Sequence, residues 1–186
     1  MDKHYISANE LLDDSFRLAH VILKSGFKPD YIVGVWRGGT PVGIAVQEYL
    51  DFRGSKSDHT AIRTASYTGI GTRDEAVQVL GLEYLVENIK ADDKLLIVDD
   101  VFDTGLSLEA IIGELEKQCA ANMPKDTRVA TVYYKPENRK AKLKLDYYIH
   151  ESNQWLVFPH EMQDLTVDEI NQNKSPLIAE LLAEDL

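Results

Sequence analysis

Three carboxylates, Asp99, Asp100 and Asp103, crowd into the stretch VDDVFDTGLS at 98–107. An apolar run precedes them and an amphipathic pattern follows, so they lie where a buried strand hands over to a helix. Such a junction can do two kinds of chemistry. The free N–H groups and dipole of a helix N-terminus favour an anion. Thr104, Gly105 and Ser107 let a phosphate approach the backbone there and add two hydroxyl donors. The carboxylates repel phosphate but accept hydrogen bonds from vicinal hydroxyls and bind Mg²⁺ through oxygen. Together these residues describe a site that holds a phosphate at the turn, with acids a sugar's length away. Asp103 as a mere N-cap and Asp99–Asp100 as a solvated strand end explain neither the paired acids nor the Thr-Gly-x-Ser behind them. No G-x-x-x-x-G-K-[ST] occurs, so this is not a P-loop, and GIGTRD (69–74) is too poor a dinucleotide fingerprint to use.

The surrounding elements must place that junction. SANE (7–10) is a capping box, and Leu11, Leu12, Phe16, Ala19 and Leu23 follow at helical spacing to about Lys24. YIVGV (31–35) reads as a buried strand, and RGGT follows it. Thr40 as N-cap and Pro41 at the first helical position open a second helix. Further strands are expected at 60–66, 95–99, 128–134 and 145–149, and a helix at 106–120. The polar, glycine-bearing YTGIGTRDEA has no core-forming pattern. The acidic stretch 161–186 is helical in pattern, with Ser175–Pro176 starting a last helix. Alternating buried strands and amphipathic helices argue for an α/β fold with a mainly parallel sheet. In such a sheet ligands bind beyond the carboxyl ends of the strands, where Asp99 and Asp100 lie.

Composition narrows the function classes. A chain of 186 residues with 44% hydrophobic and 27% charged residues suits one domain. The net charge of −11 opposes a general grip on nucleic acid or anionic membrane. No apolar run approaches membrane-spanning length, and the single cysteine, Cys119, excludes an intramolecular disulfide. A cytoplasmic protein is expected. The histidines show no zinc-site spacing.

LLIVDDVFDTGLS closely resembles the phosphoribosyl pyrophosphate (PRPP) motif of type I phosphoribosyltransferases. The resemblance implies that Asp99 and Asp100 bind the ribose hydroxyls and Mg²⁺, and that Asp103, Thr104, Gly105, Leu106 and Ser107 cradle the 5′-phosphate. GVWRGGTPVG (34–43) resembles the family's pyrophosphate loop, with Arg37, Gly38 and Gly39 at the motif positions; read alone, R-G-G is equally a simple turn. SYTG (66–69) resembles the start of the mobile loop of the 6-oxopurine branch, at Ser66 and Tyr67, and fits an ordinary exposed loop nearly as well.

YYKPENR (133–139) is similar to the K-P-x-x-R of xanthine-guanine enzymes, which implies that Lys135 donates to a purine 6-oxo group. DYYIHESNQWLVFPHE (146–161) is similar to the same branch, which implies that Trp155 stacks on the purine and that the backbone at Leu156–Val157 reads its edge. Two positions depart from that pattern: Val157 stands where an acid is usual, and Glu161 where the second-metal aspartate is.

The expected architecture is therefore the type I phosphoribosyltransferase fold, a single domain over 1–186. Its small hood lobe over the base pocket would come from about 135–165, with the N-terminus. The expected activity joins PRPP to a 6-oxopurine in a homodimer or homotetramer, with Mg²⁺ as cofactor, Asp103 as proton relay, and neither nucleic acid nor membrane as partner. A non-catalytic, nucleotide-sensing regulator on the same fold is the alternative, invited only by the basic RKAKLK (139–144).

Overall fold

The computed structural model describes residues 3–67 and 76–184, which divide into two compact units, Leu12–Asn153 and Met1–Leu11 with Gln154–Leu186. The larger unit carries a six-stranded sheet in the order β4-β3-β2-β5-β6-β7. These strands are β2 (Tyr31–Trp36), β3 (Asp58–Tyr67), β4 (Ala76–Leu80), β5 (Lys94–Phe102), β6 (Asp126–Tyr134) and β7 (His150–Glu151). All neighbours pair in parallel except β3 and β4. This is the α/β, mainly parallel architecture that the alternating pattern predicts, and central strands such as LLIV are buried on both faces, as parallel sheets require.

Helices cover both faces. One core joins Val33, Val35, Ile62, Leu95, Ile97 and Val129 of the sheet to Leu85 of α3 (Glu83–Asn88) and to Leu108, Ile111 and Leu115 of α4 (Leu106–Cys119). On the other face α2 (Gly39–Phe52) lies close over β2, where a Cβ on Gly43 would stand 3.3 Å from the Gly34 Cα. α1 (Ala8–Lys24) touches α2 through His20 Nδ1 and the Tyr49 hydroxyl at 2.8 Å, and begins at the expected capping box, with Glu10 N–H donating to Ser7 Oγ at 3.1 Å.

Several expectations are corrected. Helix α2 opens at Gly39 with Gly38 as N-cap, not at Thr40, whose hydroxyl caps nothing. The glycines let the turn tighten before the hydroxyl is reached. The stretch 145–149 is not a strand: only Tyr147 bridges to Ala130, because the Asp146 carboxylate takes the Val129 N–H at 3.0 Å. That side chain occupies a donor that a regular ladder would have used. Strand β5 runs on to Phe102, three residues past its expected end, so Asp99 and Asp100 lie within it. The helical pattern at 161 starts only at Val167, and β1, β4, β7, β8 and α3 were not expected.

The smaller unit pairs β1 (Lys3–Tyr5) in parallel with β8 (Trp155–Val157) and adds α5 (Val167–Asn173) and α6 (Pro176–Ala183). Residues 135–153 of the expected hood belong to the larger unit. Among the described residues no helix is long and apolar enough to cross a membrane.

Candidate active site

Strand β5 delivers the acids. Asp100 is buried at 8% exposure, and its N–H donates to Asp99 Oδ1 at 3.0 Å. Burial, and then the neighbouring Asp100 carboxylate, push Asp99 well above the usual carboxylate range, while N–H donation from Asp100 and Gly39 opposes the rise. Two adjacent enclosed acids of this kind want a cation or hydroxyl donors beside them.

The turn after β2 packs directly on this pair. Strands β2 and β5 run parallel, with Gly34 level with Val98, so their ends emerge side by side. The Trp36–Arg37 peptide bond is cis. A Cβ on Gly38 would overlap the Asp100 carboxylate, and one on Gly39 would overlap the Val98 carbonyl oxygen and come within 2.7 Å of the Asp99 Cα. Gly39, which meets backbone, therefore requires glycine, while a side chain at position 38 would have to displace the Asp100 carboxylate, so the R-G-G turn and the paired acids are packed together. Arg37 itself is exposed at its rim.

Beyond β5, Gly105 takes a left-handed conformation (φ +78°) and caps α4, a geometry that favours glycine. A Cβ there would also overlap the Phe102 ring. The Thr104 carbonyl accepts from the N–H groups of Lys140 and Ala141 at 3.0 Å each, and the Thr104 hydroxyl accepts from Leu106 N–H at 3.4 Å. The turn Asp103–Gly105 is thus held by N–H groups of the 140–141 segment and of Leu106, and α4 begins directly after it.

Lys135 follows directly on β6, beside this turn. Its N–H donates to the Phe102 carbonyl at 2.9 Å, and its ammonium lies 3.5 Å from Asp103 Oδ2, with only 13% of the side chain exposed. The other oxygen of Asp103 accepts from the Asn138 amide at 2.7 Å. Asn138 is a site residue that the sequence reading missed. Its only signal was its place in K-P-x-N, and nothing in the spacing says which way its amide points. The Arg139 guanidinium donates to the Ala141 and Leu143 carbonyls, and Lys144 pairs with Asp146 at 2.6 Å. The basic stretch therefore spends part of its charge on its own loop.

Of the remaining candidates, Trp155, Leu156 and Glu161 lie in the smaller unit, and Ser66 and Tyr67 in the larger. Trp155 is 49% exposed at the start of β8, while Leu156 and Val157 are buried. The Val157 carbonyl accepts from Ile6 N–H at 3.0 Å. Glu161 closes its own turn: its carboxylate accepts from Phe158 N–H at 2.9 Å, and its N–H donates to the Phe158 carbonyl at 3.0 Å. Ser66 and Tyr67 are the last residues of β3, opposite Val77 and Ala76. Residues 68–75, where the rest of the expected mobile loop falls, lie outside the described residues.

The donor set fits Mg²⁺. Asp99 and Asp100 offer hard oxygen ligands, and among the described residues no three His, Cys, Asp or Glu side chains converge. A partial protein shell suits an ion that keeps waters and substrate oxygens.

The phosphoribosyl transferase domain family matches residues 6–167. Xanthine phosphoribosyltransferase 1 of Saccharomyces cerevisiae is 25% identical, over 88% of this chain and 92% of its own. The crystal structure of a purine phosphoribosyltransferase from Pyrococcus horikoshii superposes with a TM-score of 0.69 at 28% identity, covering 89% of this chain and 98% of that one. The xanthine-guanine-hypoxanthine phosphoribosyltransferase of Helicobacter pylori gives 0.66 at 26% identity, covering 84% and 92%.

Proposed function

Because the chain belongs to the phosphoribosyl transferase family, we propose that it is a purine-salvage enzyme of the 6-oxopurine class. It joins N9 of hypoxanthine, guanine or xanthine to C1′ of PRPP. The N9–C1′ bond forms as the bond from C1′ to pyrophosphate oxygen breaks, the base gives up a proton, and a nucleoside 5′-monophosphate results. The observation that carries this reading is the Lys135 ammonium beside Asp103. An ammonium has only donors, which suits a 6-oxo acceptor and opposes the amino group of adenine.

The other residues take roles that follow from their places. The α4 N-terminus, with Thr104 and Ser107, binds the 5′-phosphate through N–H and hydroxyl donors. Asp99 and Asp100 accept from the ribose hydroxyls and hold Mg²⁺, which supplies charge neutralisation for pyrophosphate when bound. Arg37 and the N–H groups of the Gly38–Gly39 turn bind the leaving group as its charge grows. Asp103, held on one oxygen by Asn138 and on the other by Lys135, takes the proton at purine N7. Trp155 offers its exposed ring for stacking, and the Leu156 main chain reads the base edge. Glu161 is read with the turn it closes, which leaves the metal to Asp99 and Asp100.

A cytoplasmic homo-oligomer of two or four subunits is part of the same proposal. Its support is the α2 face of β3, where His59, Ala61 and Arg63 stand exposed beside Ile44 and Trp36. The alternative, a non-catalytic nucleotide-sensing regulator on the same fold, is weakened where its one supporting feature, RKAKLK, commits Arg139 and Lys144 to its own loop.

The test is nucleotide formation from PRPP and Mg²⁺ with hypoxanthine, guanine, xanthine and adenine in turn. Turnover of at least one 6-oxopurine, with adenine inert, is expected. Turnover of adenine alone would overturn the base assignment, and PRPP binding without turnover of any base would overturn the activity.

A further inference from the structure

The segment beyond Glu161 has no part in the proposed chemistry, yet it grips the strand that carries the base-reading residues. Helix α5 begins at a complete capping box, in which the Thr166 hydroxyl accepts from Glu169 N–H at 3.2 Å and the Glu169 carboxylate accepts from Thr166 N–H at 2.8 Å. The same Glu169 takes the Lys3 ammonium at 2.6 Å and the Tyr5 hydroxyl at 3.1 Å, so it holds both ends of β1. Just past the helix, the Lys174 ammonium donates to the carbonyl of Phe158 at 2.8 Å and approaches that of Pro159 at 3.4 Å. These two residues follow directly on β8. Ile170, between the two grips, is buried.

We infer that α5 is a clamp that fixes the base-reading end of β8, with Lys174 as its positioning residue. The inference rests on the proposed roles of Trp155 and Leu156. A parallel pair of three-residue strands is marginal by itself and needs packing or cross-links to keep one position. Glu169 supplies the link to β1 and Lys174 the link to the exit of β8, while the β1–β8 pairing closes the loop between them. Lys174 gives up hydration to do this, and burial lowers its pKa against the opposing pull of Glu161. A lysine that served only solubility would stay in water, as its flexible stem allows. The Phe158 carbonyl also accepts from Glu161 N–H, so a single oxygen gathers the turn and the clamp. Trp155 lies three residues upstream of that oxygen. Freedom at Phe158 is therefore freedom for the indole, and fixing it in advance lowers the entropy lost when a base binds.

The experiment compares Lys174→Met, which keeps the stem and removes the charge, with Lys174→Arg, which keeps donors, in the full chain. Steady-state kinetics are read together with amide hydrogen exchange of peptides spanning 154–161. Lys174→Met is expected to raise KM for the base about tenfold, as loss of a charge-assisted hydrogen bond implies. KM for PRPP should stay within about twofold, exchange at 155–158 should speed up, and Lys174→Arg should restore most of both effects. Glu169→Gln, which loosens the other grip, should act in the same direction. If the wild-type enzyme turns over a 6-oxopurine and Lys174→Met leaves KM for the base unchanged, the clamp is overturned. If the wild-type protein turns over no base, the functional reading fails instead. The clamp is then decided by exchange alone, where unchanged protection at 155–158 in Lys174→Met overturns it and faster exchange upholds it.

Discussion

At the end of β5 the main chain packs so tightly that a methyl group on Gly38 or Gly39 would overlap Asp100 or the backbone of Val98 and Asp99. In the smaller unit, by contrast, one side chain, Glu169, joins residues 164 and 166 positions away. The larger unit fixes its site by close approach of backbone to backbone on a sheet buried on both faces. The smaller unit fixes its strand by charged side chains reaching across partly open surface. The first design is rigid and intolerant of added atoms, as close-packed interiors are. The second tolerates added bulk but depends on charge. Substitutions in the two units should therefore fail in different ways.

The largest effect is expected at the acid itself. Asp103→Asn keeps the shape held by Asn138 and Lys135 but removes the proton acceptor, so kcat should fall by ~10²–10⁴ with PRPP affinity nearly intact. Single-turnover kinetics with PRPP titration separate the two quantities, and an unchanged kcat removes Asp103 from the relay. Gly39→Ala comes next. Its Cβ can be housed only by shifting the end of β5 or the turn, and a displacement near 1 Å lowers kcat/KM for PRPP by about 10²-fold. Gly113→Ala is the internal control. Nothing lies within 4 Å of a Cβ there, in the middle of α4, so thermal unfolding should show a gain of about 0.5–1 kcal/mol. A harmless Gly39→Ala would break the contrast between the units. Smaller again, Trp155→Ala should raise KM for the base about tenfold, since offset stacking contributes ~0.5–1.5 kcal/mol beyond area. An unaltered KM would strip Trp155 of the stacking role.

The same contrast explains what was legible in the sequence. The proposed PRPP site is local. Asp99 to Ser107 are contiguous, the strand before them is uniformly apolar, and the glycines at 38, 39 and 105 advertise backbone that needs room. Alternating strand and helix patterns then suffice for the parallel sheet. What escaped detection depends on pairings between distant residues. Strands β1 and β8 have three residues each, too short for a period-2 signal, and they exist because of each other and of Glu169. Asp146 turned an expected strand at 145–149 into an irregular segment by taking a single N–H from Val129. Asn138 reaches Asp103 across 35 positions of sequence. In each case an ordinary polar residue acquires its meaning from a partner that the local pattern does not name.

The smallest effect should come from acidifying the smaller unit, and its sign follows from Glu169. The hydrogen bond from the Lys3 ammonium is the first cause, and donation from Thr166 N–H the next, of a pKa lowered from 4.5 to about 2. A carboxylate whose pKa is lower folded than unfolded contributes stability above its unfolded value and loses it as pH falls through the folded one. The contribution of Glu169 should therefore be complete above about pH 4.5 and disappear toward about pH 2. Lys3 moves the other way: its pKa is raised by the same hydrogen bond, so its share is present at neutral pH and is lost only in strong alkali. Both groups are open to solvent, and salt will shrink the effect. Amide exchange of β1 and β8, corrected for intrinsic rates, should quicken between pH 4.5 and 2 in the wild-type protein, while β5 and β6 hold their protection. In Glu169→Gln the β1 and β8 amides should already exchange faster at pH 7 and show no further step over that range. An identical acid limb in Glu169→Gln and wild type would mean that packing around Ile170, not the charged grip, holds the two strands together, and the contrast between the units would collapse.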